Sequence, residues 1–495
     1  MTSINKESKL LAKHSLVYGL GNFFNRIVAF LLLPIYTRFL APHDYGIKEL
    51  VGLTTDVIGV LLATAIASAI YRFYFEYEDI KDRNEVISSA IITIAIFGLF
   101  ALTGLSFLTK IMAKHILDSS SLYYFFMVSF ASMWFQSLNN IGYNYLRANQ
   151  QSLRFVTLQL GKMVVVIGLN IYLVCFAKLG VLGILISTLI GSVLMCLILV
   201  MPICFQTHLR FSYKKVKAML KFGLPMVPSQ LGAFVVHLSD RFFIKAYCSI
   251  ADAGLYSLGY KFGALPGRFV SDPFNQTWQP RRFELYKEEG SEELFGKIFT
   301  YFLFLMFFAG LAISVLTKDV LMIIADQAFW SAYNVVPIIV LATTIFSFHY
   351  HLDMGILITK KTKYLAYINF SSGVFILLLN FLLIPKYGVY GAAFATLIAF
   401  IYKVSLTYYF SSKYYKIYFE FIRIGKILLG AAVLYFVTLF IEFPSVYVNF
   451  AIKSGVILLY PLLLYVFRFY SVDEKQKARE FVRPRLLSMK SLFGA

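Results

Sequence analysis

Ten charged residues interrupt long apolar runs of this sequence, and they are the residues best placed to do chemistry. They are Arg26, Asp56, Lys162, Asp240, Arg241, Lys261, Arg268, Asp272, Asp353 and Lys403. A charge in apolar surroundings is costly, so such residues are expected to face a water-filled interior and to serve function. Most of them are basic. Because guanidinium groups bind phosphate in a bidentate manner and lysine adds a point charge, the set favours an anionic substrate.

Three of these residues are spaced to share one helix face. Lys261, Arg268 and Asp272 are separated by seven and four residues, which at about 100° per residue places them within about 40° of one another. Pro266 is expected to kink this face. The pairs Asn22 with Arg26 and His237 with Arg241 are each four residues apart, which also places them on a common face. The candidate substrate-binding residues are Asn22, Arg26, Arg241, Lys261 and Arg268.

The acidic members of the set are candidates for ion coupling. Asp240 and Arg241 are neighbours that diverge by about 100° on a helix, so we expect them not to pair with each other. At least one of them either pairs with another helix or faces the interior. His349 and Asp353 are four residues apart and form either a proton or cation relay or a hydrogen-bonded cluster at a helix end. The candidate coupling residues are Asp240, Asp272, His349 and Asp353, with H+ or Na+ as the ion and no other cofactor.

Lys162 and Lys403 lie nearer the ends of their apolar runs. Their long side chains either reach the membrane surface or point inward.

The composition identifies a polytopic membrane protein. Apolar residues make up 59% and charged residues 15% of the chain, and the mean hydropathy is +0.72. Fourteen runs are long enough to cross a membrane as helices. They cover about residues 15–39, 47–71, 87–109, 122–146, 155–177, 180–203, 222–246, 254–277, 297–317, 333–357, 364–384, 388–410, 425–442 and 446–467. No barrel-like alternation is present, so the predicted fold class is all-α.

The basic residues predict the orientation. Loops on the side of the N-terminus hold 31 Lys and Arg residues, and loops on the opposite side hold nine. By the positive-inside rule both termini are cytoplasmic. The net charge of +20 therefore reflects topology and attraction to anionic lipid, and it requires no nucleic acid.

Two stretches of sequence reveal an internal repeat. Residues 178–191, KLGVLGILISTLIG, align with residues 386–399, KYGVYGAAFATLIA, at an offset of 208. The same offset aligns residues 41–47 with 249–255 and matches Gly46 with Gly254. Each copy holds six helices, an even number, so the copies are expected to be parallel, with the substrate site between the halves.

The predicted organisation follows from the repeat. It comprises a cytoplasmic tail (1–14), an N-lobe with helices 1–6 (15–203), a basic cytoplasmic linker (204–221), a C-lobe with helices 7–12 (222–410), helices 13 and 14 (425–467) and a basic cytoplasmic tail (468–495). The loops are short, and no metal-binding, nucleophile or phosphate-loop motif is present, so no enzyme is predicted.

Three segments carry a family resemblance. They are residues 33–47, LPIYTRFLAPHDYGI; residues 240–263, DRFFIKAYCSIADAGLYSLGYKFG; and residues 384–400, IPKYGVYGAAFATLIAF. They resemble the polysaccharide-exporting branch of the multidrug/oligosaccharidyl-lipid/polysaccharide (MOP) superfamily, the Wzx-type O-unit flippases. The resemblance extends over essentially the whole chain in the same order.

The resemblance implies a V-shaped, MATE-like pair of six-helix bundles with two additional helices. The implied activity is transfer of a polyprenyl-diphosphate-linked oligosaccharide from the inner to the outer leaflet of the bacterial cytoplasmic membrane, for O-antigen, capsule or exopolysaccharide synthesis. The expected partners are this substrate and membrane lipid, with a polysaccharide polymerase and chain-length proteins as candidate protein partners.

Two other functions stay open. One is a MATE-like, cation-coupled antiporter of drugs or small molecules, which predicts an apolar or acidic interior. The other is an integral-membrane polysaccharide polymerase or ligase, which predicts a large outer loop.

Overall fold

The described part of the chain, residues 32–472 and 474–476 of a computed structural model, consists of helices joined by short loops and contains no strand. In chain order the helices are α1 (Leu33–Phe39), α2 (Pro42–Glu76), α3 (Ile80–Ser106), α4 (Thr109–Ile116), α5 (Tyr123–Ala148), α6 (Ser152–Phe176), α7 (Gly180–Thr207), α8 (Tyr213–Leu238), α9 (Asp240–Tyr247), α10 (Ile250–Gly263), α11 (Asp272–Leu285), α12 (Ser291–Ile324), α13 (Gln327–Ile358), α14 (Lys363–Ser412), α15 (Phe421–Leu439) and α16 (Val446–Val466). The prediction of an all-α membrane protein is confirmed.

Ten of these helices are long and apolar enough to cross a membrane. One of them, α14, bends at Gly388 and covers two predicted spans, 364–384 and 388–410. The less apolar α5 covers the predicted span 122–146, and α10 with α11 covers 254–277. Of the first predicted span, 15–39, only the end formed by α1 lies within the described residues.

The repeated glycines adopt equivalent conformations in the two copies. Gly180 and Gly388 have φ values of +54° and +55°, a region that side chains rarely occupy, and each turns the chain between two helices. Three residues later, Gly183 and Gly391 approach the backbone of the preceding helical segment closely. A β-carbon on Gly391 would lie 2.3 Å from the Leu383 carbonyl oxygen. The Gly-x-x-Gly motif therefore makes a tight turn followed by a close helix contact.

Contacts between loops agree with the predicted alternation of sides. Lys215, which precedes the apolar part of α8, pairs with Asp82 and Glu85 at the start of α3. The Tyr418 backbone donates to the Glu292 carbonyl oxygen at 3.3 Å. All of these positions are predicted to be cytoplasmic.

Two contacts join segments predicted to lie on the opposite side. Lys245 pairs with Asp118 at 2.6 Å, and Lys318 pairs with Glu442 at 2.7 Å. In each of these pairs, both residues are therefore predicted to lie on the same side of the membrane.

The helices form two compact units. The first contains the described residues up to Leu258, together with Ile324–Ala332 and Asn369–Thr396. The second contains Gly259–Ile323, Tyr333–Ile368 and the described residues from Leu397 onward. These bounds differ from the predicted lobes at 15–203 and 222–410, which remain a prediction based on the repeat.

Each unit has its own apolar core. In the first unit, α2, α3, α5, α6 and α7 contribute Ile70, Ile87, Ile141, Phe155 and Leu199 to one cluster of buried side chains. In the second unit, α12 packs against α15 and α16 through residues that include Phe302, Ile427 and Tyr460. Burial of such side chains against neighbouring helices holds the charged residues of each unit in place.

Candidate functional site

The chain between α8 and α9 is interrupted at Ser239, and the adjacent Asp240 and Arg241 form an ion pair. Both residues are almost fully buried, with exposed fractions of 2% and 3%. The expectation that these neighbours do not pair was wrong. The long Arg241 side chain folds back along the helix, so that its Nη1 reaches Asp240 Oδ1 and also donates to the His237 carbonyl oxygen at 2.7 Å.

A second helix completes the surroundings of this ion pair. The Tyr256 hydroxyl in α10 donates to Asp240 Oδ2 at 2.6 Å, and the Arg241 guanidinium lies 5.2 Å from the Tyr256 ring centre. The Asn380 amide in α14 lies 3.4 Å from the Ser239 hydroxyl. All of these residues belong to the first unit. Arg241 is therefore charge-compensated within the protein in this conformation.

The predicted face of Lys261, Arg268 and Asp272 contains an irregular segment. A π-helical turn, Gly267–Ser271, follows Pro266 and connects α10 to α11. Arg268 lies within this turn and is exposed, whereas Lys261 and Asp272 are half-buried. The 100° rule does not apply across a widened turn, because a π-turn accommodates an additional residue. All three residues belong to the second unit.

Asp353 has a partner that the sequence did not suggest. Its Oδ1 accepts from Arg282 Nη1 at 2.7 Å, and the same nitrogen donates to the Tyr350 carbonyl oxygen. Arg282 is 1% exposed, although it lies beyond the end of the predicted membrane span 254–277. His349 lies one turn earlier, with its Nδ1 2.7 Å from the Phe346 carbonyl oxygen. The α13 helix tightens at Phe348 and at Asp353, whose carbonyl oxygens accept from backbone N–H groups three residues later, so this segment is irregular as well.

A buried imidazole lies beside the Arg282–Asp353 pair. The His351 ring packs against Phe302 at 4.5 Å and is stacked on Trp278 at 6.1 Å between ring centres. Within the described residues, His351 Nε2, Trp278 Nε1 and Arg282 Nε make no hydrogen bond. Sequence reasoning missed both Arg282 and His351. Asp353 was the sequence signal that a buried base such as Arg282 should exist, because an acid at membrane depth requires a base nearby.

The other membrane-depth lysines differ in their partners. Lys453 in α16, which is not among the ten charged residues singled out from the sequence, is buried and lies 3.3 Å from Asp319 in α12. Lys162 donates to the Ser192 hydroxyl at 3.2 Å. Lys403 lies over the Phe346 ring, 4.8 Å from its centre. Two further predicted site residues, Asn22 and Arg26, lie outside the described residues.

An apolar groove runs along the second unit between α12, α13, α14 and α15. Its volume is about 530 Å3. Its lining includes Phe299, Leu341, Ile345, Ser405 and Leu428. The groove suits a hydrocarbon chain rather than a polar ligand, because almost all of these side chains are apolar.

Comparison with known proteins identifies the family. Residues 35–291, slightly more than half of the chain, match the family described as polysaccharide biosynthesis protein. Protein 1 of the Lsg locus of Haemophilus influenzae is 23% identical over 286 residues, which cover 56% of this chain and 67% of that protein. An uncharacterized membrane protein of the same organism is 24% identical over 291 residues, covering 57% and 68%.

Solved structures show the same fold. The lipid II flippase MurJ in an inward closed conformation aligns with a TM-score of 0.72 at 17% identity, covering 92% of this chain and 100% of that chain. An inward-facing MATE family multidrug resistance transporter of the MOP superfamily aligns with a TM-score of 0.63 at 14% identity, covering 82% and 96%. This chain therefore belongs to the polysaccharide biosynthesis protein family and shares the all-helical fold of these two solved structures.

Proposed function

We propose that this chain is a flippase that moves a polyprenyl-diphosphate-linked oligosaccharide from the inner to the outer leaflet of a bacterial plasma membrane. The observation that carries the proposal is the family match over residues 35–291, on a fold whose solved relatives include a lipid II flippase. The product would feed synthesis of O-antigen, capsule or exopolysaccharide.

The physical chemistry of such a substrate matches the residues available. A diphosphate and sugar hydroxyls cannot cross hydrocarbon unaided, because they would lose their hydrogen bonds to water. Membrane-depth bases such as Lys261 and Arg268 offer an anionic headgroup positive charge and hydrogen-bond donors. The apolar groove between α12 and α15 offers the polyprenyl chain a surface of matching character. Arg26, Asn22 and Arg241 complete the proposed substrate-binding set.

Movement would follow alternating access, in which packed bundles rock between two arrangements. The proposed coupling ion is H+ or Na+, and the candidate residues are Asp240, Asp272, His349 and Asp353. Two of these acids, Asp240 and Asp353, are each paired with an arginine. Protonation of a paired carboxylate would release its arginine, which is a local charge change of the kind that can bias a two-state protein.

The proposed location is the bacterial inner membrane, with both termini cytoplasmic. The excess of Lys and Arg on one set of loops supports this orientation. Proteins that elongate the glycan or set its chain length are the proposed protein partners.

An antiporter of drugs or small molecules is the second candidate, because the MATE transporter shares the fold. Cells depleted of this protein distinguish the two functions when lipid-linked oligosaccharide on the outer face of the inner membrane is labelled with an impermeant reagent. A flippase predicts intact oligosaccharide-lipid accumulating on the cytoplasmic side. Normal outer-leaflet labelling together with increased drug sensitivity would favour the antiporter.

A further inference from the structure

Two buried cations of the second unit have carboxylate partners among the described residues, whereas the membrane-depth Lys403 does not. Arg282 pairs with Asp353, and Lys453 pairs with Asp319. Lys403 in α14 has no acidic side chain within ion-pair distance among residues 32–472 and 474–476. Its charge therefore requires water or an anion that does not belong to this part of the chain.

The direction of the Lys403 side chain places it inside the unit. Its ammonium lies 4.8 Å from the centre of the Phe346 ring on α13. Phe346 in turn packs against Phe400 at 4.7 Å and against His349 at 4.6 Å between ring centres. An aromatic face attracts a cation but does not neutralise it. The ammonium thus lies over an aromatic ring that also packs against the polar His349 side chain.

Lys403 lies well inside its helix. This position argues against its side chain reaching the membrane surface at the end of α14. At 1.5 Å per residue, its Cα lies about 14 Å along the axis from the end of α14 at Ser412. Because the side chain packs against α13 within the unit, it does not extend along lipid as the side chain of a snorkelling lysine does. This geometry favours the inward-pointing alternative for Lys403.

We infer that Lys403 binds the diphosphate of the lipid-linked substrate, an inference that rests on the proposed function. The diphosphate joins the polyprenyl chain to the sugar, so it is the part of the substrate that meets an apolar and a polar surface at once. The Lys403 ammonium provides a compact charge with several N–H donors for phosphate oxygens. It lies over the Phe346 ring, which in turn contacts the polar His349 ring.

Lys162 provides a matched comparison in the first unit. It is also a half-buried lysine at membrane depth without a carboxylate partner among the described residues, but the Ser192 hydroxyl accepts its N–H at 3.2 Å. No aromatic face lies under its ammonium within the part of the chain that the structure describes. Lys162→Gln removes the same charge at a similar depth and controls for a general loss of positive potential.

The test measures binding of geranylgeranyl diphosphate, with geranylgeraniol and inorganic pyrophosphate as comparison probes, to the purified full-length protein in nanodiscs of zwitterionic lipid. We expect Lys403→Gln to weaken diphosphate binding about tenfold, as expected for loss of one charge-assisted contact. Geranylgeraniol binding should not change. Lys403→Arg, which keeps the charge, should stay within about threefold of the wild type, and Lys162→Gln within about twofold. Weak pyrophosphate binding would show that the site recognises the headgroup in its lipid-linked form.

Wild-type affinity in Lys403→Gln would overturn the inference, and so would an equal loss for diphosphate and alcohol. An equal loss in Lys162→Gln would also overturn it, because the effect would then be one of overall charge. These outcomes leave the proposed flippase intact if outer-leaflet labelling still depends on the protein. Wild-type protein that binds diphosphate and alcohol equally would overturn the inference and count against the proposed function as well.

Discussion

Gly46 and Gly254 occupy the same position in the two copies of the repeat, and their backbones are in direct contact. A β-carbon on Gly254 would lie 2.8 Å from the Gly46 nitrogen and 2.5 Å from the Pro42 carbonyl oxygen. A β-carbon on Gly46 would lie 2.0 Å from the Ile250 carbonyl oxygen. The first turns of α2 and α10 therefore pack reciprocally, as expected for related elements around a pseudo-two-fold axis.

We expect Gly46→Ala to destabilise the protein by about 1–3 kcal/mol, because the added methyl group would overlap backbone atoms that have to move apart. The measurement is thermal or denaturant unfolding of the purified protein in detergent. Gly52→Ala in the same helix is the matched control, since no atom lies within 4 Å of its added β-carbon. Equal stability of the two variants would show that the close contact does not exist in solution.

The buried Arg282–Asp353 pair predicts a strongly non-additive double-mutant cycle. Asp353→Leu or Arg282→Met should each cost about 3–5 kcal/mol of unfolding free energy, because each leaves an uncompensated buried charge. The apolar double variant Arg282→Met/Asp353→Leu should cost much less than the sum of the two single variants.

The adjacent Arg281–Glu284 pair is the control for this cycle. Its side chains are 61% and 63% exposed, so Glu284→Ala should change stability by less than about 1 kcal/mol. Additive effects of Arg282 and Asp353 would contradict the ion pair.

Arg241 and Arg268 should respond differently to replacement by alanine. Arg241→Ala leaves Asp240 buried without its base, and we expect a loss of about 3 kcal/mol in unfolding free energy. Arg268 is exposed within the π-helical turn, so Arg268→Ala should leave stability within about 0.5 kcal/mol of the wild type. Its effect should appear instead as reduced surface glycan. Unchanged surface glycan in stable, membrane-inserted Arg268→Ala would remove this residue from the substrate-binding set.

Filling the apolar groove tests whether it accommodates the lipid chain. Ser405 is a small residue that lines the groove, and Ser405→Trp should narrow it and lower surface glycan while the unfolding temperature is largely maintained. Phe370→Trp enlarges a side chain that is 76% exposed outside the groove and serves as the control. Equal glycan levels in the two variants would indicate that the groove is not used.

Much of the fold could be predicted from the sequence because a membrane restricts the backbone conformations that a chain can adopt. An apolar run of sufficient length has to satisfy its backbone hydrogen bonds internally, so runs such as 87–109 and 297–317 predict helices directly. The repeat was equally readable, since Gly180 and Gly388 need the same unusual backbone conformation and were therefore the same residue in both copies.

The ion-pair partners of the charged residues could not be predicted from the sequence in the same way. The 100° spacing rule separates Asp240 from Arg241, yet the length of the arginine side chain brings them together. Arg282 was assigned to a loop because it lies beyond the predicted span 254–277, yet it is buried against Asp353, 71 residues away.

The sequence by itself determined that this chain is an all-helical membrane protein with an internal repeat and an excess of membrane-depth bases, because these properties depend on local composition and spacing. Only the tertiary structure decided which bases are buried and which of them are neutralised within the protein. Pairing depends on how helices that are distant in the chain pack side by side, so it distinguishes Arg282, held by Asp353, from Lys403, which lies on an aromatic ring without a carboxylate among the described residues.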